Sequence, residues 1–349
     1  MKNMIKGSIS LAVLITTTSF YACKKYDNTP TNTSAYNMSQ VNLVADVTTF
    51  NAAHIDTNLV NAWGLSANTT AVWPSSTGKG VGPVYDKTGA TLRAPVTIPS
   101  VVAGKPGTPT GVIFNSTTSF ASNKFIFASL DGSINAWATG NLAVKVASQS
   151  GAVYTGLAMV TNNGANFLYA PNFKTGKVDV YDSNFISVST MPFADPNIPS
   201  GYAPFNIQGI NGNLYVTYAM QGAAGSVNGV GNGYVDIFTT AGVFVKRFAS
   251  TGSLNSPWGL ALAPAGFADV NESILVGNFG DGHINVFDTS GNFKGQLQSN
   301  GSTLTVDGLW AIDFFKGNVS GSGSTTDFLY FTAGPGGEKH GLFGYLKLQ

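Results

Sequence analysis

Between residues 257 and 293 the chain reads Pro257-Trp258-Gly259-Leu260-Ala261, Ile274-Leu275-Val276-Gly277, Asp281-Gly282, Ile284-Asn285-Val286-Phe287-Asp288 and Thr289-Ser290-Gly291-Asn292-Phe293. Short apolar or alternating runs divided by glycine turns form an antiparallel meander. Period-two alternation marks a sheet with unequal faces, and Asp-Gly supplies the positive φ that a tight hairpin needs. The turn at Gly291 leads into a fourth strand.

The opening run recurs as Asn61-Ala62-Trp63-Gly64-Leu65, Thr110-Gly111-Val112-Ile113, Thr155-Gly156-Leu157-Ala158, Ile207-Gln208-Gly209-Ile210 and Asp307-Gly308-Leu309-Trp310-Ala311. In chain order the glycines lie 47, 45, 53, 50 and 49 residues apart. The second run returns as Phe125-Ile126-Phe127-Ala128, Phe167-Leu168-Tyr169-Ala170, Leu214-Tyr215-Val216-Thr217 and Phe328-Leu329-Tyr330-Phe331. The third returns as Ile134-Asn135-Ala136-Trp137, Val178-Asp179-Val180-Tyr181-Asp182 and Val235-Asp236-Ile237-Phe238. Such a period is too long for ankyrin or leucine-rich repeats and fits a four-stranded propeller blade.

The spacing therefore predicts an all-β fold, a six-bladed β-propeller over residues 41–349 that leaves no room for a second domain. Its last blade ends near Leu346 one strand short, while Val41-Asn42-Leu43-Val44 has no blade of its own. The N-terminal strand is expected to complete the last blade and remove an open sheet edge. Gly222–Gly233 and Gly317–Thr326 break the repeat and are expected as surface loops.

Lys and Arg total 18 against 17 for Asp and Glu, a net charge of +1, with no long run of one sign. That balance excludes nucleic acid as a natural partner. The single cysteine, Cys23, excludes an internal disulfide, a redox pair and a multi-cysteine zinc site. It follows a basic start, the apolar run Leu11-Ala12-Val13-Leu14-Ile15 and Ala22, which is the order of a secretory signal. The expectation is a signal peptide over 1–22, lipidation at Cys23, a flexible polar tether over 23–40 and a monomer held at the cell envelope by its lipid.

In a propeller the innermost strands line a shared axis. Beside the repeated glycines stand Trp63, Thr110, Thr155, Gln208, Trp258 and Asp307, with Asn172, Tyr218 and Asn278 at the ends of the second strands. These residues either form a ligand site for a polar neutral molecule or satisfy one another and ordered water. Trp63 and Trp258 are either a stacking platform or packing between blades. Glu338 with His340 is the best acid/base or metal pair in the chain, against a solvated turn as the plainer explanation. Asp179, Asp236 and Asp269 to Glu272 read as turn residues accepting backbone hydrogen bonds. No nucleophile elbow, phosphate loop, dinucleotide fingerprint or zinc-protease motif is present.

With Asn58-Leu59-Val60-Asn61-Ala62-Trp63-Gly64-Leu65, Gly233-Tyr234-Val235-Asp236-Ile237-Phe238 and Thr332-Ala333-Gly334-Pro335, together with His340-Gly341-Leu342-Phe343-Gly344, the chain resembles a family of exported bacterial proteins with an NHL-like propeller. The resemblance covers residues 41–349 and implies the fold and export, without an activity. More distantly, such propellers are similar to regucalcin-type lactonases, the streptogramin lyase and the amidating lyase, which hold a divalent metal in the central channel; their ligand signatures are missing here at matched positions. Two functions follow as expectations, beside a third reading as a scaffold with no small ligand. One is a non-enzymatic propeller binding an envelope protein, peptide or glycan without a cofactor. The other is a metal-assisted lyase or lactonase with its site in the channel.

Overall fold

The computed structural model describes residues 1, 36–268, 270, 272–315 and 327–349. The expected signal segment, Cys23, most of the tether, Asp269 and the loop expected over 317–326 lie outside the described residues.

Six antiparallel sheets form six four-stranded blades in a ring. Blade 1 runs outward through Ala62–Ala67, Val72–Ser76, Val81–Tyr85 and Thr91–Thr97, and blade 2 through Pro109–Phe114, Phe125–Ser129, Ser133–Trp137 and Val144–Ser148. Blade 3 comprises Ala158–Asn162, Ala165–Asn172, Lys177–Tyr181 and Ser187–Val188, and blade 4 comprises Tyr202–Ile210, Asn213–Gly222, Tyr234–Thr239 and Phe244–Ser250. Blade 5 comprises Pro257–Leu262, Ile274–Asn278, Ile284–Phe287 and Phe293–Gln296. Each innermost strand packs against the innermost strand of the next blade, and that of blade 6 returns to that of blade 1. The fold is a β-propeller.

Blade 6 takes Leu309–Asp313, Leu329–Ala333 and Leu342–Leu348 from the end of the chain and Met38–Ala45 from its beginning. The register sets Val41 opposite Tyr345 and Val44 opposite Phe343. This closing strand starts at Met38, ahead of the expected Val41, because the Met38 side chain is fully buried between blades 5 and 6 with Leu297, Leu304 and Leu346. A short strand, His54–Ile55, covers its outer edge in parallel.

Apolar side chains from neighbouring blades interdigitate, with Phe120, Ile134, Tyr154 and Leu168 between blades 2 and 3, and Ile237, Phe248, Leu260 and Val276 between blades 4 and 5. Since burial stabilises in proportion to apolar area, each blade depends on its neighbours. The hairpins between second and third strands join them too: the carbonyls of Gly80, Gly132 and Gly282 accept hydrogen bonds from Ile98, Gln149 and Val306, on the segments leading to the next blade.

The acidic residues of the third strands depart from the sequence reading. Asp182 and Asp288, each just past the end of a third strand, accept backbone N–H bonds in turns. Asp179, in contrast, accepts from the Tyr154 hydroxyl and the Asn172 amide, both at 2.9 Å. Asp236 is completely buried and shares Arg247 with Asp195, while Arg247 lies over the Tyr234 ring at 4.5 Å. An aspartate in mid-strand points into a blade interface, where a charge persists only with a partner. Asp236 is not a turn residue.

Candidate functional site: an aromatic cup on the propeller axis

The close approach of innermost strands fixes which residues are equivalent around the ring. A Cβ on Gly64 would meet Gly111 at 3.1 Å and the Thr110 carbonyl at 2.3 Å. One on Gly111 would meet Gly156 at 2.5 Å, one on Gly156 the Asn206 side chain at 2.2 Å, and one on Gly259 the Trp310 carbonyl at 2.8 Å. The small-residue ring is therefore Gly64, Gly111, Gly156, Asn206, Gly259 and Ala311. Anchoring the repeat on Gly209 and Gly308 misplaces blades 4 and 6, whose matching pairs are Phe205-Asn206 and Trp310-Ala311.

With that register corrected, the residues just before the small position are Trp63, Thr110, Thr155, Phe205, Trp258 and Trp310. Four of them are aromatic, and they meet on the axis. Trp63 stacks on Trp310 with ring centroids 3.5 Å apart and planes 21° apart. Trp258 stands edge-on to both, at 6.3 Å from Trp63 and 5.8 Å from Trp310, and Phe205 lies 6.4 Å and 6.0 Å from the same two rings. Hydrogen bonds orient the layer. Trp258 Nε1 donates to the Thr155 carbonyl at 2.8 Å, Trp310 Nε1 donates to Asn61 Oδ1 at 3.0 Å, and Asn206 Nδ2 donates to the Trp258 carbonyl at 2.8 Å. Trp63 Nε1 and Thr155 Oγ1 are buried without a partner.

On one face this layer floors an open cup of about 930 Å³. Phe279 stacks on the far side of Trp310 with centroids 4.0 Å apart, and Phe173 leans on Phe205 at 5.0 Å. Phe173, Phe279 and Leu130 each follow the end of a second strand, so they sit at matching places in blades 3, 5 and 2. The wall over blade 4 is the hairpin extension Gln221 to Val227, where Gly225–Ser226 folds back on the second strand. Lys174 and Glu338 bring one positive and one negative charge to the cup lining, and the Glu338 carboxylate accepts from Asn61 Nδ2 at 2.7 Å.

Beneath the layer lies a cavity of about 30 Å³ beside Asn206, Gln208, Trp258 and Asp313, on the scale of one water molecule. Gln208 also faces a depression of about 510 Å³ at the opposite mouth.

The structure distributes the residues singled out from sequence. Trp63 and Glu338 line the cup, Trp258 belongs to the aromatic layer, and Gln208 lies below it. Asn172 is buried, accepting from the Val153 amide at 3.1 Å and donating to Asp179. Asn278 is buried, donating to the Ser253 carbonyl and to Asp281. Asp307 is exposed and accepts from the Gly336 amide at 2.9 Å. Glu338 and His340 part company: His340 Nδ1 lies 2.9 Å from Asp46 Oδ2, and its ring stands edge-on to Phe50 at 5.5 Å. Phe173, Phe205, Phe279 and Lys174 were missed. An aromatic residue placed before a small one, rather than the glycine alone, is the signal that finds Phe205. Among the described residues no three His, Cys, Asp or Glu side chains converge on one point, and no helix is long and apolar enough to cross a membrane.

No family model matches the chain. It is 31% identical over 261 residues to the uncharacterized protein R648 of Acanthamoeba polyphaga mimivirus, a match that covers 68% of this chain and 64% of that protein. It is 30% identical over 258 residues to the uncharacterized protein L690 of the same virus, covering 65% of each. The chain thus spans just under two thirds of these relatives' own length. Among solved structures it resembles the α-L-arabinanase of Penicillium chrysogenum complexed with arabinobiose, with a TM-score of 0.58, 12% identity and 89% and 98% of the two chains covered. It also resembles virginiamycin B lyase from Staphylococcus aureus, with a TM-score of 0.54, 12% identity and 90% and 99% covered. A gluconolactonase from Xanthomonas campestris follows with a TM-score of 0.52, 14% identity and 84% and 87% covered. At these identities the likeness is one of fold.

Proposed function

We propose that the protein is a non-enzymatic binding propeller, held at the cell envelope through a lipid on Cys23, whose cup takes a sugar unit of a glycan. The observation that carries this reading is the half-buried Phe279 ring in the cup, backed by the buried Trp310 and Trp63 stacked in series behind it. Sugars present flat, apolar C–H faces to such rings, and their hydroxyls suit polar walls. The lining carries one cation and one anion, Lys174 and Glu338, which favours a neutral ligand. The arabinanase that this fold resembles is complexed with a neutral disaccharide, arabinobiose, which supports testing such sugars here.

Glycoside hydrolysis as usually performed needs two carboxylates flanking the bond, and Glu338 is the one carboxylate among the described cup-lining residues. The leader over 1–22 and a tether from Cys23 that ends where the closing strand begins at Met38 rest on the order of charged, apolar and polar residues ahead of that strand. Titration of the purified protein with neutral disaccharides, arabinobiose among them, should change the tryptophan fluorescence saturably, and Phe279→Ala should abolish the response. Sugar consumption, or a dependence on Ca²⁺, Mg²⁺ or Zn²⁺, would instead favour the metal-assisted lyase or lactonase. A metal held at 100 times its dissociation constant raises stability by about 2.7 kcal/mol, which thermal unfolding detects. Cys23→Ala should release the protein from the membrane fraction.

A further inference from the structure

We infer a second binding site, for a carboxylate carried on an aromatic or aliphatic body, in the cleft between blades 1 and 2 on the face opposite the cup. The first two strands of blade 1 turn at Asn68 to Ala71, at the far end from Trp63. There a cleft of about 430 Å³ opens between Trp73, Leu92 and Arg93 on one side and Phe114, Lys124 and Trp137 on the other. Its volume lies in the range of small-ligand sites.

Aromatic rings form the base. Trp73 stacks on Phe125 with centroids 4.1 Å apart and planes 19° apart, and Trp137 leans on Trp73 at 4.7 Å. Leu92, an apolar side chain 50% exposed, forms part of the rim.

Both charges of the cleft are positive. The Arg93 guanidinium lies 5.1 Å from the Trp137 ring, and its Nη2 donates to the Gly140 carbonyl and to Asn141 Oδ1, each at 2.6 Å. Trp137 Nε1 donates to that same Gly140 carbonyl at 2.9 Å, which holds ring and guanidinium together. These acceptors are neutral, so they orient Arg93 without cancelling its charge. Lys124 is exposed, and no carboxylate lines the cleft or pairs with either cation among the described residues.

A ligand matching this surface brings an anion to the cations and a flat or hydrocarbon body to the rings. With Nη2 held by those two acceptors and Nε donating to the Ala94 carbonyl at 3.3 Å, Nη1 of Arg93 and the Lys124 ammonium are left to meet an anion. A carboxylate accepts from such a held guanidinium, whereas a purely ionic ligand would leave the aromatic base unused. The carboxylate has two sources, a free small acid or the C-terminus of a peptide ending in an apolar residue.

Calorimetric titration at low salt with phenylacetate and with phenylacetamide tests the site. Phenylacetate should bind saturably and about tenfold or more tighter than the uncharged amide, the worth of a charge-assisted contact. The variants Arg93→Gln and Lys124→Gln should each weaken phenylacetate, while Phe279→Ala in the cup leaves it unchanged. If Arg93→Gln fails to fold, the exposed Lys124→Gln decides alone. Equal affinity for acid and amide, or binding unaltered by Lys124→Gln, overturns the proposal, as does no saturable binding. Gly-Gly-Phe with a free and with an amidated C-terminus separates the sources: tighter binding of the free-acid peptide than of phenylacetate assigns the site to chain termini, and weaker binding assigns it to small acids.

Discussion

The Trp63 indole lies flat against that of Trp310, 3.5 Å between centroids, although one residue opens the first blade and the other belongs to the last. Around this contact Thr332 of blade 6 donates its hydroxyl to the Trp63 carbonyl, and Trp310 Nε1 reaches Asn61. Ring closure at the axis therefore rests on side chains, in addition to the backbone pairing of the closing strand at the rim. Trp310, 1% exposed, has rings on both faces. Trp310→Ala should cost about 3–5 kcal/mol, as for other buried aromatic truncations, while Trp310→Phe should cost clearly less. Urea unfolding of both variants measures this, and a loss below about 1 kcal/mol for the alanine would show that the stack does not carry closure.

The Asp236 carboxyl offers a pH test. Burial is the main influence on it and outweighs the pull of Arg247, whose guanidinium is shared with Asp195, so its pKa is pushed up to about 7. In the unfolded chain the same group titrates near 3.8. Between these values the folded state holds the extra proton, and stability must fall as pH rises through that window. The contribution of this group is fully present below about pH 4, is lost by about pH 7 and amounts to a few kcal/mol at most. Urea midpoints measured from pH 5 to pH 8 should decline, and Asp236→Asn should flatten the decline. A wild-type midpoint that rises across this range would contradict the assignment.

The blade count, the closing strand and the hairpin glycines were all legible from the sequence, because backbone constraints leave a local mark. Gly132 and Gly282 adopt φ of +78° and +73°, as Asp-Gly hairpins demand. The site was less legible for a physical reason. What the ring requires beside the axis is a small or well-placed side chain, and Asn206 and Ala311 meet that need as glycine does elsewhere. Reading glycine alone shifted blades 4 and 6, hid Phe205 and drew attention to Gln208 and Asp307. Asp236 misled in another way, since its partner Arg247 lies on the next strand and Asp195 on the connection from blade 3. Ion pairs of this sort leave no periodic trace.

The closing strand predicts a contrast within itself. Val44 is fully buried opposite Phe343, whereas Gln40 on the same strand is exposed. Val44→Asp would place an unpaired charge inside blade 6, which costs several kcal/mol unless the carboxyl takes up a proton. Gln40→Glu should stay within about 0.5 kcal/mol of the parent. Comparable melting of the two variants would mean that the strand is not held in this register.

The hairpin glycines predict a second contrast, between conformational strain alone and strain combined with a clash. Gly164 and Gly282 both have positive φ, +81° and +73°, where an alanine costs about 1 kcal/mol from its own backbone. A Cβ on Gly164 would meet nothing within 4 Å, but on Gly282 it would lie 2.2 Å from the Val306 carbonyl oxygen. Val306 also donates its amide to the Gly282 carbonyl at 2.9 Å, on the segment that enters blade 6. Relieving the clash therefore means loosening the bond that carries the chain from blade 5 to blade 6. Gly282→Ala should lose at least about 1 kcal/mol more than Gly164→Ala, and hydrogen exchange should rise at Val306 in the first variant alone. Equal losses would place the second-to-third hairpin outside the contacts that bind neighbouring blades.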